Sequence, residues 1–218
     1  MEKNRTVQLV AILALVVGGV IGLSIGFAAF SNTLKIQSGA EVTPSKDTLN
    51  VDFSSSDTAV ETSKITPVTD PVGVVATEAT IDNTSDPTIK NLSATFKEPG
   101  QKAVYSFYAY NAGELEAYLK SIVYANVTGA NSTKVCTAKE GTTDALVQKA
   151  CNGISVKVKV GSEAETNSGI ANISNHSLVK KASEQVTVTL EYAAGSDRAD
   201  GDFTVSFGDI TLNYSSVD

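Results

Sequence analysis

The sequence predicts an all-β fold, a β-sandwich or jelly roll of about ten short strands with one short helix in a crossover loop. Three observations predict it. Past residue 30 the chain is rich in Ser, Thr, Val, Asn and Gly, and Val and Thr are stiff at χ1 and suit a pleated surface. Short segments alternate apolar with polar residues, the period of a strand with one buried face. Clusters of turn residues separate those segments throughout.

An apolar N-terminal segment precedes the sandwich. Thr6 to Phe30 is a run of 25 residues without a charge, and Lys3 and Arg5 stand before it. A signal-peptide core is usually about 7–15 residues and a spanning helix needs about 20, so length favours a membrane span. The basic residues keep the N-terminus inside and send the rest out. Gly26 and Ala28 also fit the −3 and −1 positions of a signal peptidase site that cuts between Ala28 and Ala29. Residues 1–28 are therefore a signal peptide or an anchor helix, with residues 6–28 in the membrane if uncut.

Residues 29–53 form the next unit. FSNTLKIQSGAEV (30–42) has near-strict period two, with Phe30, Leu34, Ile36, Ala40 and Val42 on the apolar face. TPSKD (43–47) reads as a turn and LNVDF (49–53) as a second strand. Residues 54–72 are polar, with two prolines, and read as a loop or linker before a body spanning 73–218.

The body opens with VGVVATEATI (72–81) and TIKNLSATF (88–96) as strands, followed by the turn KEPG. AVYSFYAYN (103–111) and LEAYLKSIVYANV (115–127) read as a strand–turn–strand pair that holds five of the seven tyrosines, expected in core and cross-strand packing. TTDALVQKACNG reads as the helix, with Thr142 or Thr143 as N-cap and Gly153 just past its end. ISVKVKV (154–160), QVTVTLEY (185–192), FTVSF (203–207) and ITLNY (210–214) are strands, and 161–177 is a polar loop.

Charge and composition narrow the function. The net charge is −7, and with Glu2, Lys3 and Arg5 set aside the remainder carries −8. That argues against nucleic acid as a partner and against docking on an anionic membrane surface. The two cysteines, Cys136 and Cys151, are expected to form one disulfide, since an export signal places them in an oxidising compartment. With His176, the sole histidine, they fall short of a zinc set. Past the apolar segment no GxSxG occurs, and the chain has no P-loop or HExxH, so no enzyme and no cofactor are expected. His176 lies in the polar stretch SNHSL and is expected as a solvated loop residue. Asp197, Asp200 and Asp202 would be the ligands if a Ca²⁺ site existed, although an ordinary hairpin turn accounts for the same residues. Seven N-x-[ST] sequons lie outside the apolar segment, at Asn83, Asn91, Asn126, Asn131, Asn172, Asn175 and Asn213. LNYSSVD carries no sortase-type sorting signal.

The segment GFAAFSNTLKIQSGAEV, then LNVDF, then FKEPGQKAVYSFYAYNAGELEAYLKSI resembles the TasA/camelysin family of secreted surface and biofilm-matrix proteins. The likeness rests on a long apolar signal ending in AAF plus a small polar residue, on a strand–turn–strand with Pro-Gly, tyrosine and Asn-x-Gly, and on an all-β remainder. About a third of the chain carries it. The two cysteines, the sequons and the central loops depart from the family pattern. The resemblance implies a jelly-roll domain, export through a dedicated signal peptidase, an extracellular or cell-surface location, and polymerisation with copies of itself. In such fibres the N-terminal strand of one subunit completes the sheet of the next, and Phe30, Leu34, Ile36, Ala40 and Val42 would be the donated face. The alternative is a monomeric, membrane-anchored β-sandwich that acts as a binding or adhesion module.

Overall fold

Fifteen strands and one helix account for the regular structure of the described residues. In the computed structural model these are residues 31–36 (backbone alone), 49–70, 74–84, 86–127 and 131–216. The apolar segment 1–28, the Ala28–Ala29 bond, Phe30, Ala40, Val42 and the turn 43–47 lie outside them. No helix among the described residues is long and apolar enough to cross a membrane.

In chain order the strands are β1 (Ser31–Ile36), β2 (Val51–Ser54), β3 (Val68–Asp70), β4 (Val75–Ala76), β5 (Thr80–Asp82), β6 (Thr88–Lys90), β7 (Ala94–Phe96), β8 (Lys102–Asn111), β9 (Ala117–Tyr124) and β10 (Lys134–Ala138). After helix α1 (Asp144–Cys151) come β11 (Ile154–Val160), β12 (Ser177–Leu178), β13 (Ser183–Tyr192), β14 (Phe203–Phe207) and β15 (Ile210–Ser215). They build a six-stranded sheet ordered β12-β9-β15-β1-β6-β5, a four-stranded sheet β10-β14-β7-β4, and a sheet β11-β13-β8-β2 in which β3 also pairs with β8. The fold is all-β, and β1–β6 is parallel while the other named pairs are antiparallel.

Alternation in the sequence becomes alternation in burial. Val156, Val158 and Val160 of β11 are buried while Lys157 and Lys159 are not, and β14 buries Phe203, Val205 and Phe207. One buried cluster runs through all three sheets. Its aromatic centre is Tyr192 and Phe203 edge-on at 5.4 Å, with Phe96 beside both, and Phe53 meets Phe107 edge-on at 5.2 Å. Such edge-to-face contacts add to the hydrophobic gain because ring edge and ring face carry opposite charge.

Several expectations need correction, mostly because the chain changes sheets where a single strand was predicted. Of the predicted strand 72–81, the described residues 74–81 hold two strands, β4 and β5, which belong to different sheets. Residues 88–96 split at Asn91, whose φ of 66° lies in the left-handed region that Asn tolerates, so β6 and β7 also part. The tyrosine-rich segments are not a pair. β8 pairs with β13 while β9 pairs with β15, and the turn between them crosses from sheet to sheet. Tyr105 is fully buried, its hydroxyl 2.9 and 2.8 Å from the Thr77 and Ser93 carbonyls and donating to one at a time. Burial pushes its pKa up to about 12. The segment 54–70 is not a bare loop, since it contains β3 and buries Ile65, which pairs with Ala79. Likewise 161–177 carries bridges Thr166–Val158 and Ile170–Ile122. Strand β10 was not expected.

The helix is found where predicted, with Thr143 as N-cap and Asn152 as C-cap. Asp144 in its first turn and Lys149 in its last suit the helix dipole. Val147, Ala150 and Cys151 face the core, and Cys136–Cys151 joins the helix to β10 as a disulfide. Closing that loop restricts the unfolded chain, so a Cys136→Ser/Cys151→Ser double variant is expected to lose about 3 kcal/mol. Urea unfolding of both proteins, with and without reductant, measures it. Reductant should shift the wild type alone.

Candidate functional site

The feature with the clearest potential for function is the place of β1. It sits inside the six-stranded sheet, antiparallel to β15 and parallel to β6. Six register pairs run from Ser31↔Ser215 to Ile36↔Ile210, and Lys35 and Ile36 pair with Thr88 and Ile89. Without β1 the sheet would separate into β12-β9-β15 and β6-β5, each with an open edge.

The two flanking strands form a slot with an apolar floor. Ile210, Leu212 and Tyr214 of β15 and Ile89 of β6 are fully buried. By register, Leu34 stands opposite Leu212 and Ile36 opposite Ile210. Two of the predicted apolar-face residues are thus in register with buried residues of β15. The edges are unforgiving, because an open strand leaves main-chain N–H and C=O groups without partners. Tight routing leads into the slot. After β14, Gly208 turns the chain into the other sheet, and a Cβ there would lie 2.2 Å from the Ala125 carbonyl oxygen.

Beneath β15 lies a polar network that sequence reasoning missed. Tyr214, opposite Asn32 in the register, is buried and donates its hydroxyl to Glu184 Oε1 at 2.5 Å. The other oxygen of Glu184 meets His176 Nε2 at 2.5 Å, and His176 Nδ1 meets Glu163 Oε1 at 2.8 Å. An imidazole facing a carboxylate on each side is an imidazolium donating to both. His176 is 7% exposed, so it is no solvated loop residue. The hydrogen bond to Glu184 is the main cause that raises its pKa to about 9, burial opposing, with Glu163 adding to the rise. Burial, then the charge of Glu184, holds Tyr214 well above the usual phenol range.

Local chain geometry makes this possible. Gly161 ends β11 with φ +50°, and a Cβ there would come within 2.4 Å of Glu184 Oε2 and 3.2 Å of His176 Cε1. The backbone of His176 is fixed by Leu119 N–H donating to its carbonyl at 2.9 Å. The network thereby ties β13 of one sheet to β15 of another. The sequence signal was a lone histidine flanked at 13 and 8 residues by Glu163 and Glu184, with a glycine where the chain must turn.

The acidic turn after β13 has other tasks. Asp200 accepts the Thr143 N–H at 2.9 Å and the Thr143 hydroxyl at 2.5 Å, which lowers its pKa and caps the helix from across the fold. Asp202 pairs with Lys97 at 3.6 Å, and the Asp197 carbonyl accepts from Tyr192. The three are not brought together as ligands, and among the described residues no group of three or more His, Cys, Asp or Glu is placed to hold a metal ion. A depression of about 430 Å³ beside this turn mixes Lys97 and Arg198 with Glu98, Asp200 and Asp202, so it selects no ligand charge.

Searches against protein-family models, characterised proteins and solved structures find no match for this chain.

Proposed function

We propose that this protein is a non-enzymatic extracellular structural protein, the subunit of a cell-surface or biofilm-matrix fibre that assembles by β-strand donation between jelly-roll domains. The observation that carries the reading is the interior position of β1, a strand whose removal opens two edges at once. An identical strand from a neighbouring copy would satisfy the same main-chain groups and the same floor of Ile210, Leu212 and Ile89. The 12 residues between Ile36 and Leu49 can extend roughly 40 Å, which lets the strand leave its own sheet. The likeness of the junction GFAAFSNTLKI to the TasA/camelysin pattern supports the same reading, with a signal peptidase freeing the strand at Ala28–Ala29.

A second reading has its own observation. In the single chain β1 pairs with its own β15, which fits a membrane-anchored monomeric sandwich acting as a binding or adhesion module. One experiment separates the two. Deleting residues 29–42 from the secreted chain is expected to abolish fibres seen by electron microscopy, and a synthetic FSNTLKIQSGAEV peptide should bind the truncated protein and block growth of the wild type. Fibres that persist without the segment would refute donation. A wild type that stays monomeric and keeps its N-terminus in the membrane would favour the module.

A further inference from the structure

A carboxylate enclosed by protein without any hydrogen-bond donor is uncommon, because nothing replaces the water it has lost. Asp86 is such a group. It is 4% exposed, and neither Oδ1 nor Oδ2 accepts a hydrogen bond. Three residues earlier, in the same turn between β5 and β6, Asn83 Oδ1 is buried and accepts nothing either. Rotating the Asn83 amide does not relieve this. Its Nδ2 donates to the Phe53 carbonyl at 2.7 Å, so the reversed amide would set oxygen against oxygen.

Among the described residues of this turn and of β6, the donors are committed elsewhere. Lys90 Nζ pairs with Asp82 at 2.6 Å, and the Thr84 N–H and hydroxyl also go to Asp82, whose pKa these contacts hold well below the usual carboxylate range, Lys90 foremost. The Thr88 hydroxyl donates to the Asp86 main-chain carbonyl and not to its carboxylate. Pro87 has no N–H to offer. One turn thus leaves three buried acceptor oxygens without a donor, a need that a cation can meet.

We propose that the β5–β6 turn binds Ca²⁺ through the Asp86 carboxylate and the Asn83 amide oxygen, with water and main-chain oxygen completing the shell. Hard cations take oxygen ligands, and Ca²⁺ sheds water more readily and tolerates less regular geometry than Mg²⁺. With one carboxylate the site is weak, in the range of extracellular modules, roughly 10⁻⁴–10⁻³ M. It is separate from Asp197, Asp200 and Asp202, and it does not depend on fibre formation. Ca²⁺ here would brace the turn that leads into β6, one wall of the β1 slot.

The test is thermal melting of the full chain in mild detergent, with EDTA, 10 mM CaCl₂ or 10 mM MgCl₂. Ca²⁺ at about ten times its dissociation constant should raise the wild-type midpoint by roughly 3–5 °C, and Mg²⁺ by less. Asp86→Asn should lose that rise yet melt at or above wild type in EDTA, because it removes an unpartnered charge. Asp200→Asn should keep the rise, and Asn83→Ala should weaken Ca²⁺ binding several-fold in calorimetric titration. The proposal is overturned by a wild type that does not respond to Ca²⁺, by an Asp86→Asn variant that responds, or by an Asp200→Asn variant that does not. It is equally overturned if Asp86→Asn melts well below wild type in EDTA, since the carboxylate would then have a donor within the protein.

Discussion

His176→Ala is expected to destabilise the protein by about 3–5 kcal/mol, the loss that follows when one partner of an enclosed ion network is removed. His176 lies between Glu163 and Glu184, and Glu184 also takes the Tyr214 hydroxyl. Without the imidazolium, two carboxylates remain side by side with no cation, the Glu184 side chain only 10% exposed. Glutamine at 176 keeps a donor toward one of them and should lose less. Stability should also depend on pH with a definite sign. The folded pKa of His176 is about 9, above the roughly 6.5 of an unfolded histidine. The stabilisation is therefore complete below pH ~6.5 and disappears as pH rises through about 9, up to about 3 kcal/mol in all. Urea midpoints at pH 6, 8 and 10 should fall for the wild type and change less for His176→Gln. Equal slopes in both would mean that the histidine does not carry the effect.

The second large effect is expected in the core. Phe203→Ala should lose about 3–5 kcal/mol, from apolar area and from the cavity left behind. Phe203 is fully buried and packs against Tyr192 and Phe96, so the cavity has aromatic walls held by two other strands and collapses poorly. Phe203→Leu should lose less than half as much. Denaturant melts with the Tyr fluorescence read in parallel give both numbers, and an alanine variant within 1 kcal/mol of wild type (roughly the scatter of surface substitutions) would mean the site repacks.

Elements written in local alternation were legible from the sequence. ISVKVKV is β11 and FTVSF is β14, residue for residue, because every second residue is buried and no sheet change interrupts them. The helix at 144–151 was legible from the Thr142–Thr143 pair, Gly153 past its end and the helix-forming residues between, and the structure selects Thr143 as the N-cap. What failed was the assignment of neighbours. A left-handed Asn91 that divides one apolar run between two sheets leaves no mark on periodicity. Strand β10 is defined by pairs such as Cys136↔Val205, whose partner lies far along the chain. The polar network failed for the same reason. SNHSL is polar in itself, and its burial comes from Glu163, Glu184 and Tyr214, which only the folded topology collects. Asp86 was missed because a carboxylate in a turn ordinarily faces water.

The pairing of β1 with β15 also sets a clock. Residue 36 cannot take its place until residue 210 exists, because the strand it adjoins is the last of the named strands to be made. At synthesis rates of about 5–20 residues per second, that delay is on the order of ten seconds or longer. Throughout it, an alternating segment lacks its β15 partner. If strands are donated between copies as proposed above, which copy fills which slot would be a race between the chain's own completion and encounter with a neighbour, and expression rate and local crowding, as much as affinity, would govern the outcome.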